Sequence, residues 1–450
     1  MKVVFNTTKN ILPHIIIIAL FILMLIGVIS YARGYRFNLQ EGTISSTGII
    51  SINSSPKGAK VYINDELRGA TDTNITLPYG QYDVEVKKEG YSSWKKSVVL
   101  KGEIVMSLNA VLFSKNPSLT PLTNIGVNAV HSVGNTDKVI LVSETGDAEQ
   151  DGIYLFEPSG NPVTLFPPLK LLVLRSLVPE TVNFASAEFT YGPRYRQTII
   201  TFSNPGEGEF GDTTKNIAVD VPEKISYLIS LDEENLELFE IATSIDDIIA
   251  KWHEEKNKEM VKIIETLPKS FQKIASDSFH IISLSPDEKR VMYLAKDDAS
   301  LPKVIDPPLI GANQTEEERD IKENGLYIYD KKEDKNYFVP IEIPFEKTSV
   351  IKSKKETISG APGLPDLVDE AVATQVLDMV RWYPTSDYIV IKEAETISVL
   401  QYDGSNKETV YAGPFDRSFF GISPDWNLMV IINLNPQNNE YGDLYSVGIR

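Results

Sequence analysis

The 450-residue sequence contains no cysteine, which excludes disulfide staples, thiolate nucleophiles and cysteine-ligated zinc. Stability must come from core burial, and a chain of this length can supply it. Histidine is scarce too. The four present, His14, His131, His253 and His280, are scattered, and no two stand at metal-ligand spacing. There is no Gly-x-Ser-x-Gly elbow, P-loop or dinucleotide fingerprint. Ser-x-x-Lys spacings at Ser54/Lys57, Ser92/Lys95 and Ser270/Lys273 lack the partner motifs that give the spacing meaning. Positive charge is in short supply: 44 Lys and Arg against 62 Asp and Glu leave a formal net charge of -18. With no basic stripe interleaved with aromatics, the composition argues against a nucleic-acid partner. No catalytic residue, cofactor site or firm metal site emerges.

What the sequence does have begins with an apolar run. From Ile11 to Ala32 there is no Lys, Arg, Asp or Glu. Roughly 20 such residues, at about 1.5 Å each, match a hydrocarbon layer about 30 Å thick. The run reads as a single-pass membrane anchor. A cleavable signal peptide is the alternative, since Ser30 and Ala32 place small residues before a cut at Arg33. Its length favours the anchor. Lys2 and Lys9 precede the run and Arg33 and Arg36 lie just after it, so flanking charge leaves the orientation open. The large cysteine-free β body beyond it, with no second apolar span, reads as extracytoplasmic.

After a linker over residues 35–47 the pattern becomes short β. Val61 and Ile63 alternate with polar neighbours, Tyr82, Val84 and Val86 alternate with Asp83, Glu85 and Lys87, and turns fall at 56–58, 78–80 and 89–90. One face is core and the other wet, which predicts a small antiparallel sandwich. The residues Pro56-Lys57-Gly58-Ala59, then Gly69 and Thr71, then Gly80, then Gly90-Tyr91, resemble the PEGA domain over residues 48–113. Lys57 stands where the naming tetrapeptide has Glu, at a position that faces outward. The resemblance implies a non-catalytic module of bacterial and archaeal envelope proteins that contacts other surface components.

The remainder, residues 114–450, is organised around a recurring unit. SLSPDEKRVMYLA (283–295) is followed by GLYIYD (325–330); VRWYPTSDYIVI (380–391) by ISVLQYDGS; GISPDWNLMVII (421–432) by DLYSV. Each prolyl turn ends one strand and launches a nearly continuous apolar one, which expects cover on both faces. Pro384 and Pro424 are about 40 residues apart, the spacing of four-stranded propeller blades. VHSVGNTDKVILV with GIYLFEPSG reads as a first blade, Asn135-Thr136-Asp137 filling the Pro-Asp slot. A degenerate unit occupies 182–241. The count is about five blades, with a sixth open. Through Ser285-Pro286-Asp287 with Tyr327-Ile328-Tyr329-Asp330, and Ser423-Pro424-Asp425 with Leu444-Tyr445, this part resembles TolB-type and WD-repeat-like β-propellers. That resemblance implies a rigid scaffold for protein contacts.

One segment breaks the β pattern. Over 244–274 the apolar residues share one helical face, Ser244 stands at the N-cap and Pro268 at the end, so an amphipathic helix is expected, serving as a brace or a partner-binding arm. Polar insertions at 303–324 and 346–372 read as disordered, the first as the part free to meet a partner. Asp147, Glu149 and Asp151 imitate the front half of a calcium loop, but Pro158 occupies the slot of the bidentate Glu, so an acidic hairpin tip is the expectation. The whole predicts an all-β protein behind one transmembrane helix. Its expected role is non-catalytic: a membrane-anchored scaffold or binding protein contacting an envelope protein or surface glycan. The alternative is an envelope enzyme using paired carboxylates in the propeller channel, for instance on glycans.

Overall fold

The computed structural model describes residues 5–32, 35–38, 43–159, 168–203, 224–343, 369–437 and 440–450. It divides into two compact units, residues 1–113 with 308–314, and residues 114–307 with 315–450.

Unit 1 opens with α1 (Phe5–Ala32). Within it, residues 13–32 form a stretch long and apolar enough to cross a membrane, with a mean hydropathy of 2.9 and none of it buried. Strands β1 (Tyr35–Asn38) and β2 (Thr43–Ser55) pair antiparallel, so residues read as linker are partly strand. β3 (Lys60–Ile63), β4 (Glu66–Ala70), β5 (Thr73–Pro78), β6 (Gly80–Lys87), β7 (Ser93–Leu100) and β8 (Val105–Val111) complete the unit. β1, β2, β5 and β8 form one sheet, and β4-β3-β6-β7 the other. The pairing is not wholly antiparallel, because β8 lies parallel to β2, Ile50 opposite Met106 and Ile52 opposite Leu108. Period-2 alternation works as expected: in β8 Met106, Leu108 and Ala110 are buried while Val105, Ser107 and Asn109 are exposed. Ile50, Ile52, Val61, Val84, Val86 and Trp94 of the same unit are buried too. Each buried branched aliphatic contributes about 1.5–3 kcal/mol.

The tetrapeptide turn is zipped to Thr71. Gly58 and Ala59 donate N–H bonds to its carbonyl (3.1 Å) and hydroxyl (3.0 Å), and Thr71 N–H returns one to Ala59 O (2.8 Å). Ala59 is fully buried, and Gly58 has φ +74°, which favours glycine. Lys57 points outward to Asp72 (3.1 Å), so that position accepts a residue other than Glu. Gly90 (φ +80°) turns the chain so that Tyr91 N–H reaches Lys88 O (3.1 Å).

Unit 2 is built of meander sheets. The first is β10 (Ala129–Ser132), β11 (Val139–Ser143), β12 (Gly152–Phe156) and β13 (Leu169–Leu174), after β9 (Ser118–Pro121). The second is β14 (Glu188–Tyr191), β15 (Gln197–Ser203) and β16 (Lys224–Ser230), with Tyr227 bridged to Glu240. The third contains β17 (Phe279–Leu284) and β18 (Arg290–Ala295). After β19 (Ala299–Ser300) and β20 (Asp320–Ile321), which pair with each other, it resumes with β21 (Leu326–Asp330) and β22 (Lys335–Phe338). The fourth is β23 (Val380–Trp382), β24 (Tyr388–Lys392), β25 (Ile397–Gln401) and β26 (Glu408–Tyr411). The fifth, β27 (Gly421–Ile422), β28 (Leu428–Ile432) and β29 (Asp443–Gly448), takes β9 as its outermost strand, Leu119 opposite Val447. Successive antiparallel meanders of this kind are the units of a β-propeller.

The apolar strands are covered on both faces. Along β11, Val139 and Leu141 enter a core shared with Phe419, Met429 and Ile431 of the fifth-sheet region, while Ile140 and Val142 enter one shared with Ile200 and Phe202 of the second. In β18, Met292 and Leu294 pack toward Trp382 and Ile389 of the fourth sheet, and Val291 and Tyr293 pack toward helices.

Those helices correct one expectation. The insertion is two helices, α2 (Ile245–Glu265) and α3 (Lys269–Ser278). α2 stops just before Pro268, with Thr266 as its C-cap, and Pro268 then serves as the N-cap of α3, where its missing N–H costs no bond. Ser244 makes no side-chain cap; Asp246 and Asp247 supply the negative charge in the first turn instead. Phe271 of α3 stacks on Tyr329 at 4.5 Å between centroids, so the pair braces the third sheet.

Residues 303–324 are also ordered. Asp334 accepts the Val304 and Ile305 N–H groups (2.6 and 2.8 Å), and Arg319 donates to Pro302 O (2.7 Å), stapling both ends of the excursion. Its tip, 308–314, belongs to unit 1, where the Gln314 amide exchanges two hydrogen bonds with the Val99 backbone (2.6 and 2.9 Å). Of the 346–372 insertion, residues up to 368 lie outside those described. Its end enters α4 (Glu370–Leu377), capped by Asp369, whose carboxylate accepts Val372 N–H (3.1 Å).

Candidate functional site

Four sheets of unit 2 begin with a short inner strand that ends in closely related turns. At Ser285 the N–H donates to Arg290 O (2.9 Å) and Glu288 N–H donates back to Ser285 O (2.8 Å). The same two bonds recur at Tyr383, with Tyr388 and Ser386, and at Val133, with Lys138 and Thr136. At Ser423 the first bond stops one residue earlier, at Asn427 O, and Trp426 N–H donates back. The second position of the turn is therefore Gly134, Pro286, Pro384 or Pro424. The Pro-Asp slot of the first sheet is Gly134-Asn135, one residue before the Asn135-Thr136-Asp137 placement that the sequence favours. Gly134 has φ +53°, and a Cβ there would come within 2.2 Å of the Tyr195 ring. Proline fits neither condition.

The Ser-Pro-Asp residues hold these turns in shape. Ser285 Oγ donates to Asp287 Oδ1 (2.7 Å) and accepts Arg290 N–H (3.0 Å); Ser423 Oγ donates to the Asp425 carboxylate. Asp287 N–H donates to Ser386 Oγ (3.0 Å), joining the third turn to the fourth. Burial pushes the Asp287 carboxyl up, but hydrogen bonds from Lys289 and Ser285 outweigh it and bring its pKa down to about 2.

The turns converge on a cavity of about 350 Å³, to which they contribute Thr136, Pro286, Pro384 and Pro424. Arg381 and Trp382, on β23, line it from the inner strand. Arg381 is only 6% exposed. Its Nη1 reaches the Gly134 and Thr136 carbonyls, each at 3.4 Å, and Phe420 lies 5.8 Å from its guanidinium carbon. Its Nε and Nη2 are buried without a hydrogen-bond partner, as is Trp382 Nε1. Desolvation lowers the Arg381 pKa, partly countered by the Asp378 charge.

A second cavity, of about 640 Å³, lies at the other end of the same inner strands, where α4 sits. It is lined by His131, Phe189, Tyr191, Asp378 and Phe419, among others. The His131 ring packs on Phe189 at 4.8 Å, and its Nε2 is buried without a hydrogen-bond partner. Burial lowers its pKa to about 4, so it is neutral at pH 7. Desolvation raises the Asp378 carboxyl, against the pull of Arg381 and Lys392. The two carboxylates lining this cavity, Glu370 and Asp378, are eight residues apart on one helix and its cap, about 12 Å of helical rise. Glycosidase pairs stand about 5–9.5 Å apart, and Glu370 is already paired with Lys256 (2.7 Å).

Asp151 is buried in its hairpin loop. Its carboxylate accepts Thr145 N–H (2.7 Å), Thr145 Oγ1–H (2.9 Å) and Gly146 N–H (2.8 Å), while Asp147 accepts Glu149 N–H (3.1 Å). These carboxylates organise the tip, and among the described residues no group of three or more His, Asp or Glu is arranged to hold a metal ion. Sequence reasoning singles out the turns but misses Arg381. Its signal is one charge inside an otherwise apolar inner strand, Val380-Arg381-Trp382.

Comparison with known proteins gives three findings. Residues 47–116 match the PEGA domain. Among curated proteins, none matches the chain. Among solved structures, the chain is similar to the β-propeller domain of the trilobed protease from Pyrococcus furiosus, at 9% identity, 92% of this chain, 88% of that one and a TM-score of 0.17. A TolB protein of Agrobacterium tumefaciens gives 9% identity, 88% and 98% coverage and a TM-score of 0.16. The calcium structure of a family AA12 carbohydrate-active enzyme from Trichoderma reesei gives 8%, 81%, 89% and 0.19. The propeller architecture rests on the strand pairings themselves.

Proposed function

We propose that this is a non-catalytic, membrane-anchored binding protein of the cell envelope, whose body lies outside the cytoplasm. It presents unit 2 to an envelope protein or surface glycan. The observation that carries this reading is the succession along the chain of an apolar helix with no buried residue, 13–32, and a sandwich that matches the PEGA domain. Among the described residues nothing buries that helix, and a bilayer would. In this reading the five meander sheets form a propeller whose axial cavities are the binding surfaces. The wide spacing of Glu370 and Asp378 weighs against paired-carboxylate chemistry at the larger cavity.

The test combines alkaline extraction with protease treatment of intact cells. The chain is expected to stay with membranes at high pH and to lose unit 2 to external protease. A soluble chain, or one protected until the cells are lysed, overturns the proposal.

A further inference from the structure

Exposed sheet faces ordinarily carry charge, and edge strands are guarded by it. In unit 1 the sheet built on β2 departs from that pattern. Strands β2, β5 and β8 contain no Asp, Glu, Lys or Arg, in a chain that is 24% charged. Their outward side chains are neutral: Asn74 lies opposite Ser51 and Ser51 opposite Ser107, Asn53 opposite Asn109, and Thr76 opposite Ile49. Among the described strands β5 pairs with β2 alone, so it is an edge strand, and its one guard is Pro78 at the last position. On that edge Asn74-Ile75-Thr76 spells the acceptor motif for N-linked glycosylation, Asn-x-Thr with x other than proline. Period-2 geometry presents the motif to an enzyme: Asn74 and Thr76 are exposed on the same face, about 6.6 Å apart, while Ile75 turns inward. Neither the Asn74 amide nor the Thr76 hydroxyl makes a hydrogen bond among the described residues. The three other copies of the motif in the chain are less available. Asn53 is half-buried, and its amide donates to Asn109 Oδ1 (3.2 Å). Asn313 is half-buried, and the Thr315 hydroxyl of its motif donates to Asp403 (2.7 Å). Asn6 precedes the apolar stretch 13–32, which in the proposed topology puts it across the membrane from the body.

We infer that Asn74 is a glycosylation site, bearing a glycan on its side-chain nitrogen. Asn74 Nδ2 attacks the anomeric carbon of a saccharide carried on a polyprenyl phosphate. The C–N bond forms as the bond from that carbon to the phosphate oxygen breaks, the lipid phosphate leaves, and Nδ2 gives up one proton. The attached sugar then lies over Ser51 and Ser107, whose hydroxyls can bond it with no ion to desolvate. It also shields an edge that has no charge of its own. This inference rests on the extracytoplasmic placement of the body, because the lipid donor presents its saccharide on that side of the membrane.

The experiment takes the full chain, purified in detergent from its own cells, and maps it by fragmentation mass spectrometry of its peptides, beside protease treatment of the same cells intact. The expected result is a saccharide on Asn74 in most copies and none on Asn53 or Asn313. Asn74→Gln and Thr76→Ala should each lower the intact mass by one glycan, whereas Thr76→Ser, which keeps the hydroxyl, should retain it. An unmodified Asn74, a sugar on Thr76 itself, or equal occupancy of Asn53 overturns the assignment. If Asn74→Gln does not accumulate, the map of the unaltered chain and the Thr76 pair still decide it. A chain digested from outside yet bare at Asn74 sinks this inference alone. A chain that is bare there and also protected from external protease sinks the proposed placement with it.

Discussion

Among its described residues, unit 2 holds two buried arginines whose surroundings are opposites. Arg290 sits at the seam between the third and fourth sheets. Its Nε bonds Asp330 (2.9 Å), its Nη1 bonds Ser386 O (2.8 Å) and lies 3.4 Å from Asp387, and its guanidinium carbon stands 3.6 Å from the Tyr402 ring centroid. Asp330 is itself saturated, accepting Lys332 and Glu333 N–H groups at 2.9 Å each. Arg381, on the inner strand β23, has one nitrogen engaged and two, Nε and Nη2, buried without a partner. Arg290 is thus tied to its neighbours through two of its nitrogens, whereas two buried donors of Arg381 have no partner.

The contrast can be broken most directly at the seam. Arg290→Ala should destabilise the purified protein by about 3–5 kcal/mol in denaturant unfolding, since it leaves Asp330 buried without its cation. A cost under about 1 kcal/mol would mean the seam is not a structural tie.

The axial region should respond to acid before the seam does. His131 has a folded pKa depressed to about 4 from 6.5, so the unfolded chain binds the proton more readily. Stability attributable to it is full above pH 6.5, falls as pH drops toward 4, and levels off below. The loss is on the order of 3 kcal/mol, and a His131→Phe variant should lack this step.

Third in size, Arg381→Met should leave stability unchanged or raise it by up to about 2 kcal/mol, the reverse of Arg290→Ala, because it removes an unpaired buried charge. Smallest is the seam's own acid response. Asp287, depressed to about 2 from 3.8, contributes stability that is present above pH 3.8 and lost as pH falls toward 2. Exposure and screening hold it to about 1 kcal/mol, and Asp287→Asn should remove this second acid step.

Much of this arrangement is legible in the residues alone where the determinants are local. The apolar strands of 291–294, 388–391 and 428–432, the prolyl turns and the Gly58-Ala59 turn all carry their cause within a few positions. Legibility fails where the cause lies far along the chain. Nothing near 303–324 announces that Asp334 and Arg319 will staple it, so its polar composition reads as disorder. The turn at Gly134 is misplaced by one residue because its constraint is Tyr195, 61 positions away. The helix beyond Pro268 is missed because it is too short to show its period. Composition reads 303–324 as disordered, and the excursion is instead tied down at both ends by Asp334 and Arg319.

The pairing of β9 with β29 has a consequence in time rather than in space. Thr123 bonds Asp443 across 320 residues (3.1 Å), and closing so long a loop is thermodynamically mild but late. At roughly 5–20 residues per second the partner strand emerges on the order of 20–60 s after β9. Throughout that interval the face of the first sheet formed by Val139, Leu141 and Phe156 waits for Met429 and Ile431. A nascent chain with that face uncovered is prone to aggregate, so biosynthesis of this protein should depend on a holding chaperone far more than its finished stability implies.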